Sequence, residues 1–352
     1  MTPLDKAWSP SQWIHRDLTP QEVVLNHQSV TLKGSELARR NLYCKANVRY
    51  GATAKNVFDL YTTSPNVPTG CPMVVYIHGG YWQYLSKEES AFLAPSLNAS
   101  RPDGVVFVAV DYVLASEKEH EEHASMAGIY SAMQDLLRAL NVVARKLNCS
   151  AIHFIGHSAG AHLLAGMCSL DYPSDQRPWL FKLVKSLWLV SGVYELEPIR
   201  HTYVNEPLQL SSAEVEACSP VRQVEKFIRN MKNSSDAVVH IVYGEFEAPT
   251  FELESLQYFH ALKKAMEETT GGAGFSVPEP VKVSGRDHFD VIDDLKNNHV
   301  LEKLPKMFGE DQTATNRTKT PTGLLGITSQ NCDLREVSLR DVVDASTYIF
   351  TL

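Results

Sequence analysis

Ser158 lies in Gly156-His157-Ser158-Ala159-Gly160, a G-x-S-x-G pattern. The apolar run Ile152 to Ile155 precedes it, and a helix-forming run from Ala159 to Leu170 follows. A serine on such a strand-to-helix elbow has its hydroxyl thrust outward, as a nucleophile requires. The flanking glycines suit the turn, which leaves no room for side chains beside the serine. A serine hydroxyl is a weak nucleophile on its own. It needs a base to take its proton, an acid to orient that base, and backbone N–H groups to receive the charge on the attacked carbonyl. Five residues with three fixed also arise by chance, so these partners decide what the pattern means.

The oxyanion donors are expected first. Met73 to Ile77 is an apolar run leading into His78-Gly79-Gly80-Tyr81-Trp82, an HGGXW motif. Its glycines let the loop approach a substrate. The amides of Gly79 and Gly80, with that of Ala159, are the expected oxyanion hole. His78 comes too early in the chain for the base and is expected to brace this loop. The base is expected late, and His288 stands just after the apolar run Val281 to Ser284. Asp287 and Asp290 beside it are read as loop-forming. His157 and His162 flank the elbow and are read as core or helix residues. The acid follows the run Val238 to Tyr243, where Glu245 and Glu247 both stand. Glu247, deeper in the loop before Ala248-Pro249, is assigned, with Glu245 as the alternative. Either would hold the imidazole tautomer and stabilise the imidazolium.

These residues need a scaffold that brings strand ends together. Short apolar runs recur at Met73 to Ile77, Val105 to Val110, Ile152 to Ile155, Leu187 to Val190, Val238 to Tyr243 and Val281 to Ser284. Their length and β-branched content suit strands buried on both faces. Helix-like segments alternate with them, at His120 to Leu147, Ala159 to Leu170 and Glu252 to Glu268. The alternation predicts an α/β fold with a mostly parallel central sheet and helices on both faces. Leu42 to Tyr50 and Asn56 to Thr62 read as an edge hairpin, and Gln21 to Arg40 as a helix. Residues 1–41 form an arm expected to pack on the body, because Trp8 and Trp13 stand beside Pro10. Residues 192–233 break the rhythm after a strand end and are read as a cap over the site, with a plain crossover as the alternative. The catalytic body spans residues 1–308. Residues 309–352 are expected to be a disordered extension, in which Leu334 to Val343 could form one or two amphipathic turns.

Composition narrows the class of partner. The chain has 352 residues, a net charge of -8, 44% hydrophobic and 21% charged residues. This is the composition of an ordinary globular protein with material for a sizeable core. Nothing resembles the basic stripe of a nucleic-acid binder or the roughly 18-residue apolar run of a membrane span. The polar, proline-broken N-terminus is unlike a secretory signal. The six cysteines show no metal spacing and are expected as free thiols. A cytosolic protein is expected, with the nucleus as a second compartment, acting on a small molecule.

The motifs taken together resemble the arylformamidase, or kynurenine formamidase, family of α/β hydrolases. The resemblance rests on His78 to Trp82, Gly156 to His162, Leu189 to Ile199, Gly244 to Phe251 and Asp287-His288-Phe289, and runs from about Pro10 to Phe308. It implies hydrolysis of N-formyl-L-kynurenine to L-kynurenine and formate in tryptophan breakdown, by Ser158, His288 and Glu247, with no metal or organic cofactor. It also implies a homodimer. The family usually carries aspartate where this chain has Glu247. Tyr81 and Trp82, beside the oxyanion loop, are candidate walls for the substrate's aromatic ring, with core packing the alternative for Trp82. A general carboxylesterase of the same fold is the competing reading. A hydrolase-fold receptor or scaffold without activity is disfavoured by the full set of candidates.

Overall fold

A computed structural model of the chain describes residues 1–101, 104–116, 124–172, 178–234, 236–269 and 274–293, together with a short strand at residues 336–338. The strands are β1 (Tyr43–Arg49), β2 (Val57–Thr62), β3 (Asn66–Pro68), β4 (Met73–Ile77), β5 (Val106–Val110), β6 (Ile152–His157), β7 (Val184–Val190), β8 (Ala237–Phe246), β9 (Phe275–Ser276), β10 (Val281–Asp287) and β11 (Glu336–Ser338). The main sheet runs β1-β2-β5-β4-β6-β7-β8-β10, with β9 beside β8. β2 is antiparallel to β1 and to β5. From β5 through β4, β6, β7, β8 and β10 every pairing is parallel.

The apolar runs become central strands because both faces of the sheet are covered. β4, β5 and β6 are buried at every position. Along β4 the side chains alternate between two cores. Met73, Val75 and Ile77 join the layer built with helices Met126–Lys146, Ala159–Cys168 and Pro249–Glu268. Val74 and Tyr76 join the layer that holds Ala38, Leu97, Val291 and Ile292 from the opposite face. The long N-terminal helix, Pro20–Asn41, starts with proline in its first turn and a capping box between Thr19 and Glu22, which satisfies orphan amide groups at that end.

Parallel pairing places the carboxyl ends of β4, β6, β8 and β10 on one rim. Ile77 pairs with Gly156 and His157 with Val190, so β4, β6 and β7 end at nearly the same height, while β8 and β10 run on together to the Asp287–Phe246 pair. The loops carrying His78, Ser158, Glu247 and His288 leave from that rim. In open parallel sheets this is where ligands bind.

Two expectations need adjustment. In the segment read as a cap, helices Ser212–Cys218 and Val224–Met231 pack on Met126–Lys146 and Ala159–Cys168, at the flank of the sheet. Only its earlier part, around Tyr203, reaches the rim. In the tail, Glu336–Ser338 forms a strand antiparallel to β3 instead of amphipathic helical turns. Pairing there gives the open edge of β3 partners for its backbone groups. The rest of 309–352, and the expected disorder there, lies outside the described residues. Cys44, Cys149, Cys168 and Cys218 are free thiols. Among the described residues no helix is long and apolar enough to cross a membrane.

Candidate active site

Ser158 caps helix Ala159–Cys168 at φ 54° and ψ -119°. A non-glycine residue in this region is strained, and the surrounding structure must hold it there. Its amide donates to the carbonyl of Val190 at 2.8 Å, and its carbonyl accepts from Ala161 and His162. The elbow also docks backbone to backbone on the end of β4. A Cβ at Gly160 would overlap the carbonyls of Ile77 and His78. A Cβ at Gly79 would lie 3.0 Å from Cβ of Ser158 and 2.8 Å from the carbonyl oxygen of His157. Glycine at these two positions is what allows the oxyanion loop to touch the nucleophile. Among the described residues the amides of Gly79 and Gly80 make no hydrogen bond. The amide of Ala159, at the first turn of its helix, has no intrahelical partner.

The loop after β4 is tied down by local backbone hydrogen bonds. Gly80, Tyr81 and Trp82 all take positive φ, at 96°, 52° and 60°. The carbonyl of Gly80 accepts from Gln83 and Tyr84, and that of Trp82 accepts from Ala115 at 2.7 Å. His78 stacks on Tyr112 with ring centroids 4.3 Å apart. Its Nδ1 is 2.9 Å from the carbonyl of Gly79, and the Tyr112 hydroxyl donates to the carbonyls of His78 and Gly79. His78 therefore props the loop from beneath. Trp82 is wholly buried and meets His162 edge-on at 4.8 Å. It is absent from the cavity lining, so the suggestion that it walls the substrate is corrected: its left-handed backbone turns the indole into the core. Tyr81 does line the cavity, with its hydroxyl donated to the carbonyl of Trp8 at 2.6 Å.

His288 follows β10. Its Nδ1 lies 2.9 Å from Oε1 of Glu247, whose side chain is fully buried. The same oxygen accepts from the amide of Ala248 at 3.1 Å. Glu245, two residues earlier, is exposed and turned away, accepting from the Ser284 hydroxyl and the Gly285 amide. The imidazole packs edge-on against Phe251 at 4.6 Å. Its carbonyl accepts from Nε2 of His157 at 2.8 Å. Burial, then the neighbouring His288 and His27, push His157 well below the ordinary histidine range, so it remains a neutral donor that pins the His288 loop.

Asp287 and Asp290 shape the turn. Asp287 accepts from the amides of Phe289 and Asp290, and Asp290 from that of Asp287. Asp287 is also clasped by Arg16 through two bonds of 2.9 Å. Burial works to raise the Asp287 carboxyl, but Arg16 and the turn amides hold it below the usual carboxylate range. His15 adds a third group to this acidic pair. Arg16 already occupies both carboxylate oxygens of Asp287, so the cluster is a charge network that ties the arm to the base loop.

Ser158, His157 and His288 share a cavity of about 280 Å³ with Tyr81, Tyr84 and Tyr203, and with Pro10 and Ser11 of the arm. Val24, His27 and Gln28 close it from helix Pro20–Asn41. Sequence reasoning passed over His27, His157 as a brace, and Arg16. No local motif marks them. Their roles come from contacts with segments far away in the chain.

An alpha/beta hydrolase fold family model matches residues 74–269. The chain is 35% identical to the kynurenine formamidase of Danio rerio over 87% of its own length and 96% of that protein. It is 34% identical to the kynurenine formamidase of Salmo salar over the same shares. With that of Drosophila melanogaster the identity is 27%, over 83% of this chain and 91% of the relative. Among solved structures, a putative thioesterase from Silicibacter aligns with a TM-score of 0.60 at 22% identity, over 86% of this chain and 98% of that one. An esterase from Pyrobaculum calidifontis aligns at 0.55 and 17%, over 85% and 96%. At such identities these two speak for the fold alone. The likeness to the curated relatives spans nearly their whole length, and the chain belongs to the kynurenine formamidase family of α/β hydrolases.

Proposed function

We propose that the chain hydrolyses N-formyl-L-kynurenine to L-kynurenine and formate through a formyl-serine intermediate. Ser158 attacks the formyl carbon while Nε2 of His288 takes its proton. Glu247, at Nδ1, keeps the imidazole in the tautomer that leaves Nε2 free and stabilises the imidazolium. The oxyanion is received by the amides of Gly79, Gly80 and Ala159. His288 returns the proton to the departing aniline nitrogen. Water, deprotonated by the same histidine, then attacks the formyl-serine ester and releases formate. An aryl amine leaves more readily than an alkyl amine, so a triad of the ester-cleaving kind can break this amide.

The observation that carries the proposal is the meeting, in one small aromatic cavity, of a strained serine and a histidine backed by a buried carboxylate. Ligand pockets run from about 300 to 1,000 Å³. A cavity of about 280 Å³, just under that range, favours a single-ring substrate with a tiny acyl group over long acyl esters. Tyr81 is proposed as one wall for the ring. A homodimer is proposed with it, and light scattering on purified protein checks the mass.

The direct test compares kcat/KM for N-formyl-L-kynurenine with that for p-nitrophenyl acetate. A clear preference for the formamide is expected. Ester turnover with negligible formamide turnover would overturn the proposal in favour of a general carboxylesterase, and inactivity on both substrates in folded protein would favour a scaffold.

A further inference from the structure

The proposed substrate carries a charged amino-acid end, and the inference rests on that choice of ligand. A carboxylate entering an apolar cavity needs a cation or strong donors to replace its water. Among the described residues lining the cavity there is no lysine or arginine. Three histidines remain. His288 is committed to the reaction. His157 is held neutral and donates its Nε2 proton to a backbone carbonyl. His27 is left, and it lies on the wall made by helix Pro20–Asn41.

His27 is 5% exposed, and its Nδ1 is in ion-pair contact with Oδ1 of Asp293 at 2.5 Å. Its ring centroid is 5.7 Å from that of His157 and 5.7 Å from that of Phe289, next to the base loop. Asp293 occupies the Nδ1 side of the ring, which leaves Nε2 as the nitrogen available to a ligand in the cavity. Burial pushes the Asp293 carboxyl upward, and His27 opposes that rise.

We propose that His27, backed by Asp293, binds the α-carboxylate of the substrate and so selects an amino-acid formanilide over a neutral one. His27 is then a specificity residue on a helix remote in sequence from all three members of the proposed triad.

The test is binding of L-kynurenine and of 2-aminoacetophenone, which has the same ring and ketone but no amino-acid end, measured by titration calorimetry on the full chain. In His27→Gln the Kd for L-kynurenine is expected to rise roughly 10- to 100-fold, the loss of one charge-assisted hydrogen bond, with that for 2-aminoacetophenone unchanged. Asp293→Asn should shift the same ligand in the same direction by less. For N-formyl-L-kynurenine the loss should fall on KM and leave kcat nearly intact. Equal weakening of both ligands would make His27 a structural brace and overturn the proposal. So would an unchanged Kd for L-kynurenine, or no binding of it to the wild type. Should the wild type fail to turn over N-formyl-L-kynurenine yet bind L-kynurenine through His27, the proposed reaction fails and this assignment stands.

Discussion

The two halves of the candidate site are held by different physics. The serine half is backbone against backbone. Gly79 and Gly160 bring the end of β4 onto the elbow, and Ser158 is fixed at positive φ between them. The histidine half is side chain against backbone and side chain. His288 is positioned by Glu247, by the His157 bond to its carbonyl, and by a loop clasped from the arm by Arg16. The first half has no slack, because a Cβ has nowhere to go. The second half can be loosened one contact at a time.

Substitutions can break or sharpen this contrast. Ser158→Ala removes the nucleophile and is expected to lower kcat by about 10⁴-fold or more. Retained turnover in that variant would refute the serine mechanism. Glu247→Gln should cost about 10³- to 10⁴-fold through the wrong imidazole tautomer, while Glu245→Gln stays within about 2-fold, as a surface substitution does. The opposite ranking would reassign the acid. Gly79→Ala displaces the loop that carries the proposed oxyanion donors and should lower kcat by about 10²- to 10³-fold, with binding of 2-aminoacetophenone retained. An unaffected kcat would mean that the oxyanion is bound elsewhere. Arg16→Ala frees the base loop without touching the chemistry, and a fall of about 10-fold in kcat is expected. A loss as large as that of Gly79→Ala would show the histidine half to be as rigid as the serine half.

The smallest effect is on stability. Glu254, on the helix after the acid loop, is buried and accepts from the amides of Tyr194 and Glu195. Burial pushes its carboxyl up to about 8 against the pull of those amides. The folded state therefore binds its proton more tightly than the unfolded state does. That contribution to stability is fully present below the unfolded carboxylate range, near pH 4.5, and is lost as pH rises through about 8. Glu254→Gln keeps a carbonyl acceptor and no longer titrates. It should raise the thermal midpoint relative to wild type more at pH 9 than at pH 5. A pH-independent difference would show that Glu254 ionises as an ordinary surface carboxylate.

Much of the serine half was legible in the sequence. The elbow, the HGG loop and the apolar runs are local patterns, each stamped by steric rules within a few residues. The order of motifs along the chain then made His288 and the loop after β8 the places to look. Glu247 and Glu245 differ by two positions on one strand end, and local pattern alone could not separate a buried carboxylate from an exposed one. Trp82 was ambiguous for a related reason: the positive φ that swings its indole into the core depends on the fold around the loop.

By itself, then, the sequence determined the α/β architecture, the serine, the glycines that admit it, and the strand ends at which its partners stand. Only the tertiary structure decided which carboxylate meets His288, that His157 pins the base loop from 131 residues away, that Arg16 clasps it from 271 residues away, and that His27 faces the cavity with Asp293 behind it. The physical reason is range. Backbone sterics are written in neighbouring residues, whereas burial and ion pairing depend on which distant segments the sheet brings to one rim.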